Sequence, residues 1–413
     1  MPVKRTLTVF TATVAGIVVM CSSLGFAAGF RLPEQDSAAM GMASAFVGQA
    51  DNPSAVWYNP AGITQLDGTM ISGGVIVIYP ELTHENTNGT TDVSKRDLYL
   101  PVQLYATHKL NDKVGIGFGI NNPFGLTTDW PDASSTRYVA TYSSIVTTEF
   151  NPNIAYKFNN DLSAAFGIAY IHLRATLEKT TFLGPLGDYN FRLSGDGDGW
   201  GVNAAVTYNF SESIHAGLSY RSRIKVDVDG TAELTGGPAA TSGSGSTSLT
   251  LPDLIQLGVS YKASDALTLN ADLEYTLWST YNTLTIESDV AAFNKTEEHQ
   301  WKDVACFRIG GQYRLSDQWK VRAGYLYDQN PVKEEHFETR IPDSDRQGFS
   351  IGAGYTSGSV TIDVAYMYLL FKNRTISNSV MDDASVTPKA PDALNGTYKS
   401  QAQLGGITIG YKF

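Results

Sequence analysis

The side chains that could carry out chemistry are sparse in this chain. Its 413 residues include six His, and none belongs to a His-Glu-x-x-His zinc motif. No Gly-x-x-x-x-Gly-Lys phosphate loop occurs either. The stretch Asp196-Gly197-Asp198-Gly199 begins like a calcium loop but lacks the later ligands, so a turn is the simpler interpretation. We therefore expect no enzyme, no metal site and no cofactor.

Composition and charge narrow the class of protein. Only 17% of the residues are charged, and the mean hydropathy is −0.14. Beyond the extreme N-terminus there is no run of roughly 18 apolar residues, which a transmembrane helix needs. Transmembrane β-strands space their apolar residues two apart, so a barrel can have this average hydropathy. The net charge of −11 argues against a nucleic-acid partner, because phosphate binding needs clustered Lys and Arg.

The N-terminus predicts export. Lys4 and Arg5 are followed by an apolar stretch at 7–20 and by small residues at 25–27, which is the arrangement of a secretory signal peptide. We expect residues 1–27 to be a cleaved signal peptide and the mature chain to begin near Ala28.

From about residue 70, apolar residues recur at every second position. Between Ile214 and Asp229 one parity carries apolar residues, and the other carries polar residues that include Arg221 and Lys225. Side chains alternate across a β-strand, so this segment is predicted to have one apolar and one polar face. A soluble β-sandwich gives the same alternation, so the number of strands and the rhythm of the turns must decide between the two folds.

The number of strands and the turns favour a membrane barrel. About 14 alternating segments can be counted, an even number that suits a closed outer-membrane barrel. Short connections alternate with long ones and lie at 111–112, 159–161, 211–213, 264–265, 316–317 and 357–359. The chain ends on Phe413, on the apolar face of a last strand, which resembles the signal by which outer-membrane barrels are recognised for insertion. The sequence predicts an all-β fold, a transmembrane antiparallel β-barrel at residues 69–413, in the bacterial outer membrane.

Residues 28–68 differ from the rest of the chain. They lack strand alternation and are rich in Ala, Gly and Asn-Pro. A barrel of about 14 strands has a lumen wide enough to need filling, so we expect this N-terminal segment to fold inside the barrel as a small hatch that plugs it. Within the hatch, Asn59-Pro60-Ala61-Gly62 reads as a tight turn, and a purely structural role for that turn stays open.

A series of motifs runs through nearly the whole mature chain. They are AGFRLPEQ at 28–35, YNPAGI at 58–63, NNPFGLTTDW at 121–130, FNPNIAYKF at 150–158, GLSYRSRIKVDVDGTA at 217–232, LPDLIQLGVSY at 251–261, YTLWSTYNTLTI at 275–286 and IPDSDRQGFSIGAGY at 341–355. In order and spacing, these motifs resemble the FadL family of outer-membrane long-chain fatty-acid transporters, which includes relatives that take up aromatic hydrocarbons.

The resemblance implies a passive transport mechanism. Ligand would be captured in an apolar groove on the external loops, would pass to a pocket above the hatch, and would leave when the hatch rearranges. The hatch gate would be the Asn-Pro-Ala motif, here Asn59, Pro60 and Ala61.

The resemblance also implies a kink in the third strand, at about 114–123, that opens the wall sideways. Gly115, Gly117 and Gly119 suit such a kink, because glycine weakens a strand. The same three glycines could equally make room for the hatch.

The capture groove is expected on the loops after the fifth and seventh strands. The first of these loops, at 180–199, has apolar residues at an otherwise exposed place. These groove residues are Phe182, Leu183, Leu186, Tyr189 and Phe191. The second loop, at 236–252, is rich in Gly and Ser, so the groove there would be half-formed or differently specific.

The carboxylate of a fatty acid needs a cationic partner. Arg221, Arg308 and Arg346 are predicted to face the lumen, where they could donate charge-assisted hydrogen bonds to it. Lumen arginines also pair with lumen acids such as Asp272 and Glu274, and that structural role stays open. The acyl chain itself gains about 0.8 kcal/mol for each methylene removed from water.

Three alternative functions stay open at this point. They are an aromatic-hydrocarbon channel of the same family, a general porin and a purely structural barrel. We expect the partners to be a long-chain fatty acid or another hydrophobic small molecule, together with outer-membrane lipid, and we expect the protein to be monomeric.

Overall fold

The computed structural model describes residues 29–377 and 393–413, which form one antiparallel sheet around a short helical segment. The predicted signal peptide and Ala28 lie outside the described residues. The strands are β1 (Thr69–Asn86), β2 (Thr91–Val93), β3 (Val102–Lys109), β4 (Val114–Asn121), β5 (Gly125–Asp129), β6 (Tyr142–Lys157), β7 (Leu162–Phe182), β8 (Asp188–Asn209), β9 (Ile214–Arg221), β10 (Ile224–Thr235), β11 (Thr241–Leu251), β12 (Leu254–Lys262), β13 (Leu267–Thr276), β14 (Thr283–Glu287), β15 (Lys295–Glu298), β16 (Val304–Arg314), β17 (Trp319–Asp328), β18 (Arg346–Ser357), β19 (Val360–Phe371), β20 (Arg374–Ile376) and β21 (Gly396–Lys412). The helices are α1 (Ser37–Met40) and α2 (Ala55–Tyr58), with 3-10 turns at Pro60–Gln65, Gly184–Leu186, Trp278–Thr280 and Ala291–Phe293.

The sheet closes on itself. β1 pairs with β3 on one side and, from Met70 opposite Lys412 to Asn86 opposite Gly396, with β21 on the other. Several wall strands are made of two consecutive segments, and together they form a closed barrel of 14 strands. The predicted all-β barrel is therefore confirmed. Among the described residues, no helix is long and apolar enough to cross a membrane.

The short turns at one end of the barrel share one geometry. In the β6–β7 turn, the side-chain oxygen of Asn159 accepts hydrogen bonds from the backbone N–H groups two and three residues later, at 2.8 Å each. The equivalent residue in four other turns makes the same pair of bonds. These residues are Asn111, Ser211, Ser264 and Ser316. Local side-chain bonds of this kind explain why short Asn- and Ser-containing segments reverse the chain here. We call this the turn end, and the opposite end the loop end.

The outer face of the barrel carries an apolar belt between two aromatic girdles. At the turn end, Tyr208 contacts Phe210, and at the other edge Tyr170 contacts Trp200, with ring centroids 4.8 and 4.9 Å apart. From Trp200 to Tyr208, β8 rises roughly 26 Å at about 3.3 Å per residue. A band of about 25 Å is what a bilayer core requires of a tilted strand. Residues beyond Trp200 toward the loop end therefore lie outside the membrane.

The N-terminal segment at 29–68 lies inside the barrel. Most of its side chains are buried, and lumen acids hold it in place. The carboxylate of Asp272 accepts backbone hydrogen bonds from Phe46 and Val47, at 2.7 and 2.9 Å. The carboxylate of Glu274 pairs with Arg31 of the segment. This segment fills the lumen as the sequence predicts for a hatch, and its boundaries at 28 and 68 stay predictions.

The β9–β10 wall strand changes face where it is interrupted. Leu218 and Tyr220 are exposed on the outside, whereas Ile224, Val226 and Val228 are buried inside. Residues 222 and 223 lie between the segments, and the register against β8 shifts there by one residue, from Asn203 opposite Arg221 to Asp198 opposite Asp227. A one-residue bulge of this kind moves the alternation to the opposite face. The prediction that residues 214–229 present one apolar face is therefore wrong beyond Arg221.

The neighbouring β11–β12 wall strand changes face in the same way. Leu249 and Leu251 are buried inside, while Ile255 and Leu257 are exposed outside, and residues 252–253 separate the two segments. The two bulges are joined, because the backbone N–H of Arg223 donates to the Asp253 carboxylate at 3.0 Å. Together they turn apolar rows from the membrane side to the lumen side.

The β7–β8 hairpin extends far beyond the belt. The two strands stay paired from Leu162 opposite Tyr208 to Phe182 opposite Asp188. Residues 196–199, which were expected to form a turn, are part of this ladder. Their glycines have a packing role, since a Cβ at Gly197 would collide with the backbone of β10.

Candidate ligand-binding site

The inward apolar rows above the hatch enclose a cavity of about 710 Å³, which we call the inner cavity. Its wall is mainly aliphatic and is made by Leu126, Ile145, Leu173, Val228, Leu249 and Leu284. Val228 and Leu249 lie beyond the two bulges, toward the loop end, and the other residues lie on β5, β6, β7 and β14. A cavity with this apolar lining suits an apolar small molecule.

The floor of the inner cavity is aromatic. Phe30 of the hatch packs against Trp278, with ring centroids 4.6 Å apart, and against Tyr281, at 6.0 Å. Tyr281 lines the cavity, and Phe124 and Trp301 complete the cluster. The first described residues of the hatch therefore touch the same aromatic group as any ligand in the cavity.

A second cavity, of about 810 Å³, lies nearer the loop end, and we call it the outer cavity. It lies between the tip of the β7–β8 hairpin and the β14–β15 hairpin, where Phe191 packs on Phe293 with ring centroids 5.2 Å apart. Leu177 and Arg340 line both cavities. The two cavities are therefore adjacent and share part of one wall.

Charged groups converge where the two cavities meet. The Arg340 guanidinium donates to Glu297 at 3.0 Å, to the Val139 carbonyl at 3.0 Å and to Glu338. Its Nε is buried and has no hydrogen-bond partner among the described residues. An N–H of a buried cation at the shared wall of two apolar cavities can donate a charge-assisted hydrogen bond to a carboxylate oxygen.

Two lysines add positive charge beside Arg340. Lys295 pairs with Glu297 at 2.7 Å, whereas Lys179 makes no hydrogen bond or ion pair within the described part of the chain. Burial, with further contributions from Lys295 and Arg340, lowers the pKa of Lys179 to about 8. Three cations thus face the carboxylates of Glu297 and Glu338, and the positive excess suits an anionic headgroup.

His299 borders the same cluster. Its ring stacks on Tyr281, with centroids 4.4 Å apart, and burial lowers the pKa of His299 below its ordinary value. The imidazole is therefore neutral at pH 7 and adds no charge to the cluster. Within the described residues, no group of three or more His, Cys, Asp or Glu side chains is arranged to hold a metal ion.

The five predicted groove residues take different positions. Leu183 and Phe191 line the outer cavity. Tyr189 is buried behind it, and its hydroxyl accepts from the backbone of Ala239 at 3.1 Å. Leu186 is exposed at the hairpin tip, and Phe182 is half-buried beside it.

The second wall of the outer cavity comes from a different loop than predicted. The Gly- and Ser-rich stretch at 236–252 mostly forms β11, which pairs along β10. Ile286, Ala292 and Phe293, from the connection after β13, supply apolar groups to the outer cavity instead.

None of the three predicted carboxylate-binding arginines lines either cavity. Arg221 is buried against the hatch, where it donates to Glu149 at 2.9 Å and to the carbonyls of Val56 and Trp57, and its guanidinium lies 3.9 Å from the Trp57 ring. All three of its side-chain nitrogen atoms make hydrogen bonds, so Arg221 attaches the hatch to the barrel wall.

Arg308 and Arg346 are also engaged. Arg308 donates to the Ala43 carbonyl of the hatch at 3.0 Å and to Glu274 at 3.3 Å. Arg346 donates to Asp328 at 3.1 and 2.8 Å. These bonds fit the structural role that the sequence left open, and a role of the two arginines in ligand binding stays a prediction.

The third wall strand is interrupted, but not at the predicted glycines. β4 pairs regularly with β6 from Val114 opposite Tyr156 to Asn121 opposite Glu149, so Gly115, Gly117 and Gly119 form no kink. A Cβ at Gly117 would lie 2.7 Å from both Ile63 and Val56 of the hatch, so these glycines make room for it. The interruption lies at 122–124, between β4 and β5.

The hatch segment is hydrogen-bonded to this interruption. The backbone N–H of Leu32 donates to the Pro123 carbonyl at 2.8 Å, and that of Gly125 donates to the Phe30 carbonyl at 2.9 Å. The Asn122 side chain spans the break, since it accepts from the Val102 N–H at 2.8 Å and donates to the Thr147 carbonyl at 2.5 Å. The hatch and the break in the wall therefore form one connected structure.

The predicted gate motif joins the hatch to the opposite wall. The Asn59 amide donates to the Val47 carbonyl at 3.0 Å and to the Thr207 hydroxyl of β8 at 3.2 Å, and its oxygen accepts from the Ala61 N–H at 3.1 Å. Pro60 begins the 3-10 turn, and Ala61 is fully buried.

Sequence reasoning missed the two cations of the site. Arg340 directly precedes the IPDSDR motif that singled out Arg346. Lys179 has the same parity as Leu173 and Leu177, which face inward. A lysine at the end of an inward apolar row could therefore have been identified from the sequence as a candidate binding cation.

Comparison with known proteins gives a consistent set of relatives. A family model described as outer membrane protein transport protein (OMPP1/FadL/TodX) matches residues 18–413. The chain is similar to the long-chain fatty acid transport protein of Escherichia coli, with 28% identity over 416 aligned residues, which cover 87% of this chain and 92% of the relative.

Two solved structures have a fold similar to that of this chain. A FadL homologue of Pseudomonas aeruginosa is similar with a TM-score of 0.82 and 21% identity, over 94% of this chain and 100% of that one. The Ralstonia pickettii toluene transporter TbuX is similar with a TM-score of 0.73 and 17% identity, over 92% of this chain and 98% of that one. At these identities the structural likeness supports the fold alone.

Proposed function

Because this chain belongs to the outer membrane protein transport family, we propose that it is a passive transporter of hydrophobic small molecules across the outer membrane, with a long-chain fatty acid as the best-fitting ligand. The loop end then faces the outside of the cell, and the turn end faces the periplasm. The family is one of transport proteins, and the transport step needs only binding and release.

The observation that carries this proposal is the pair of adjacent apolar cavities with a cationic cluster between them. A fatty acid has an apolar tail and one anionic group. On the order of 15 methylenes, each worth about 0.8 kcal/mol when removed from water, drive the tail into the aliphatic inner cavity. The carboxylate stays at the junction, where Arg340 offers its free Nε and Lys179 offers an unpaired ammonium group.

The outer cavity serves as the capture site. Leu183 and Phe191 are half-buried there, so they present apolar surface to the outside without being fully exposed. A ligand bound first in the outer cavity reaches the inner cavity past Leu177, the apolar residue that lines both.

Release is proposed to be lateral, through the break at 122–124. Ligand in the inner cavity contacts the aromatic floor that includes Phe30, and the backbone of Phe30 and Leu32 is bonded to the break. Leu98 and Leu100, on the chain just before β3, are exposed and apolar beside it. Displacement of the first hatch residues would loosen the break toward the membrane.

Aromatic hydrocarbons are the second candidate ligands. Tyr281 lines the inner cavity and belongs to an aromatic cluster with Phe30, Phe124, Trp278 and Trp301, so its ring can contact an aromatic ligand. A neutral ring would use this floor and would not need Arg340. Long acids and small aromatics are thus expected to share the cavity.

The test is displacement of a fluorescent fatty acid from the purified barrel by oleate and by toluene. Leu249→Trp, which fills the inner cavity, is expected to abolish saturable binding of both ligands. Leu257→Trp, on the outward face of the adjacent wall segment, is the matched control and is expected to bind like wild type. Equal binding by Leu249→Trp and wild type would contradict the proposed site.

A further inference from the structure

The wall has a second discontinuity, between β11 and β14. The β12–β13 ladder ends at Leu254 opposite Thr276, and the chain then leaves the wall before β14 begins. Among the described residues, β11 pairs with β14 at only two positions, Ser246 opposite Glu287 and Thr247 opposite Ile286. On its other side, β11 pairs with β10 along its whole length. This gap in the ladder lies beyond the membrane belt, toward the loop end.

Cavities lie on both sides of this gap. On the outside is a polar groove of about 970 Å³, bordered by Ser248, Thr283 and Thr285. On the inside is the inner cavity, bordered at this place by Leu249, Tyr281 and Leu284. Ser246 and Thr247 line both. A single layer of residues therefore separates external water from the ligand cavity.

Few interactions close the gap. The Thr247 hydroxyl donates to the Thr285 carbonyl at 2.8 Å, and the Thr280 hydroxyl donates to the Thr250 carbonyl at 3.4 Å. At the loop-end edge of the gap, the Ser244 N–H donates to the Asp289 carboxylate at 2.8 Å, and the Ser288 hydroxyl donates to the Ser244 carbonyl at 2.5 Å. The two threonine bonds within the gap are neutral hydrogen bonds, which contribute little net stability beside water. β11 is rich in Gly and Ser, so few bulky side chains block the gap. This stretch was predicted to form part of the capture groove, and it borders the gap instead.

The outer groove has the opposite charge to the outer cavity. Asp227, Asp229 and Glu287 line it, and their side chains are exposed. Lys225 pairs with Asp227 at 2.6 Å, which leaves the groove with a negative excess. An anionic headgroup is repelled there, whereas an uncharged molecule is not.

We propose that the gap between β11 and β14 is a second entrance to the inner cavity, used by small uncharged hydrophobic molecules such as monocyclic aromatic hydrocarbons. Anionic amphiphiles enter through the outer cavity, past Lys179 and Arg340. This inference rests on the proposed function, because it assumes that the inner cavity is the ligand site.

A disulfide staple tests this entrance. Ser246→Cys and Glu287→Cys place two cysteines at directly opposed positions, within the distance that a disulfide spans. Uptake of radiolabelled toluene and of oleate is measured in cells that express the full chain, before and after reduction. Oxidation is expected to lower the ratio of toluene to oleate uptake several-fold, and reduction is expected to restore it.

The matched control is a staple at Glu233→Cys and Ser242→Cys, which are opposed on β10 and β11 further from the gap, and it is expected to leave the ratio unchanged. A single variant, Thr285→Trp, fills the outer groove without a disulfide and is expected to lower toluene uptake selectively. An unchanged ratio in both the oxidised staple and Thr285→Trp would overturn the second entrance, as would a parallel loss of both ligands. Uptake by wild type reports on the proposed function separately, since the absence of both oleate and toluene uptake would mean that no transport occurs.

Discussion

At the scale of residues, the predicted lumen arginines hold the structure, whereas Arg340 lies at the wall that the two cavities share. Arg221 and Arg308 fasten the hatch, and Arg346 pairs with Asp328. Arg340 has three acceptors but keeps its Nε free at the cavity wall. The sequence shows where lumen cations can occur, but their availability depends on partners that are distant in sequence, such as Val139 and Glu297.

The first prediction concerns Arg340. Arg340→Gln removes the cation that meets the carboxylate, and a hydrogen bond to a charged group is worth about 1.5–3 kcal/mol, so oleate binding should weaken roughly tenfold to a hundredfold. Toluene binding should not change, because a neutral ring does not need the cation. Displacement assays with the two ligands measure both effects.

The control for this variant is Arg314→Gln. Arg314 is exposed beside the turn end, where it lies 3.9 Å from Asp317, and it lines neither cavity. Oleate affinity should be that of wild type in this variant. A similar loss of oleate and toluene binding in Arg340→Gln would show that the residue supports the fold rather than the carboxylate.

The second prediction concerns pH. The pKa of Lys179 is lowered to about 8 by burial, so its ammonium group is charged below that pH and neutral above it. A fatty-acid carboxylate stays ionised over this range, so oleate affinity should fall a few-fold as the pH rises through about 8. In Lys179→Met the affinity should be lower at neutral pH and nearly independent of pH. Titration of oleate binding across this range measures both curves, and an identical pH profile in the two proteins would exclude Lys179.

At the scale of elements, the turns were predictable and the changes of face were not. Asn111, Asn159 and Ser211 each reverse the chain through local bonds, which a sequence pattern reveals. The alternation from Ile214 to Asp229 continues without a break in sequence, yet its apolar row moves from the membrane to the lumen at Ser222 and Arg223. The bulge adds one residue to the register against β8, so the same sequence parity faces the opposite side beyond it, and the bond from Arg223 to Asp253 lies at this position.

The third prediction concerns the break in the third wall strand. Asn122→Ala removes the side chain that joins Val102 to Thr147 across the break. If ligand leaves through this break, release of a fluorescent fatty acid from the barrel into lipid vesicles should be several-fold faster than in wild type. Stopped-flow transfer measures the rate.

The control is Asn159→Ala, which affects a short turn far from the cavities. Its release rate should match that of wild type. Unchanged release in Asn122→Ala would argue for an exit on the periplasmic side.

At the scale of the whole molecule, the hatch separates this barrel from a general porin. The lumen is occupied by residues 29–68, and Asn59 bonds this segment to β8. The barrel with its hatch in place should therefore pass little ion current. This was the part of the architecture that composition predicted best, because a lumen of about 14 strands has to be filled.

The fourth prediction concerns the attachment of the hatch. Asn59→Ala removes the bonds to Val47, Thr207 and Ala61, a loss of about 0.5–2 kcal/mol by analogy with helix caps. Brief openings should then appear in planar-bilayer conductance. Asn52→Ala is the matched control, because Asn52 bonds only within the hatch, to Asp36 and Ser54. Equal conductance in all three proteins would mean that Asn59 does not hold the hatch closed.

The most direct test of the central claim is to map the bound ligand with a fatty acid that carries a photoreactive diazirine at the end of its tail. After irradiation of the purified barrel, mass spectrometry should find oleate-competable adducts on peptides that contain Leu173, Val228 or Leu249 of the inner cavity. Adducts confined to outward belt residues such as Leu218 and Leu257, or adducts that oleate does not compete away, would contradict the claim that the inner cavity holds the ligand.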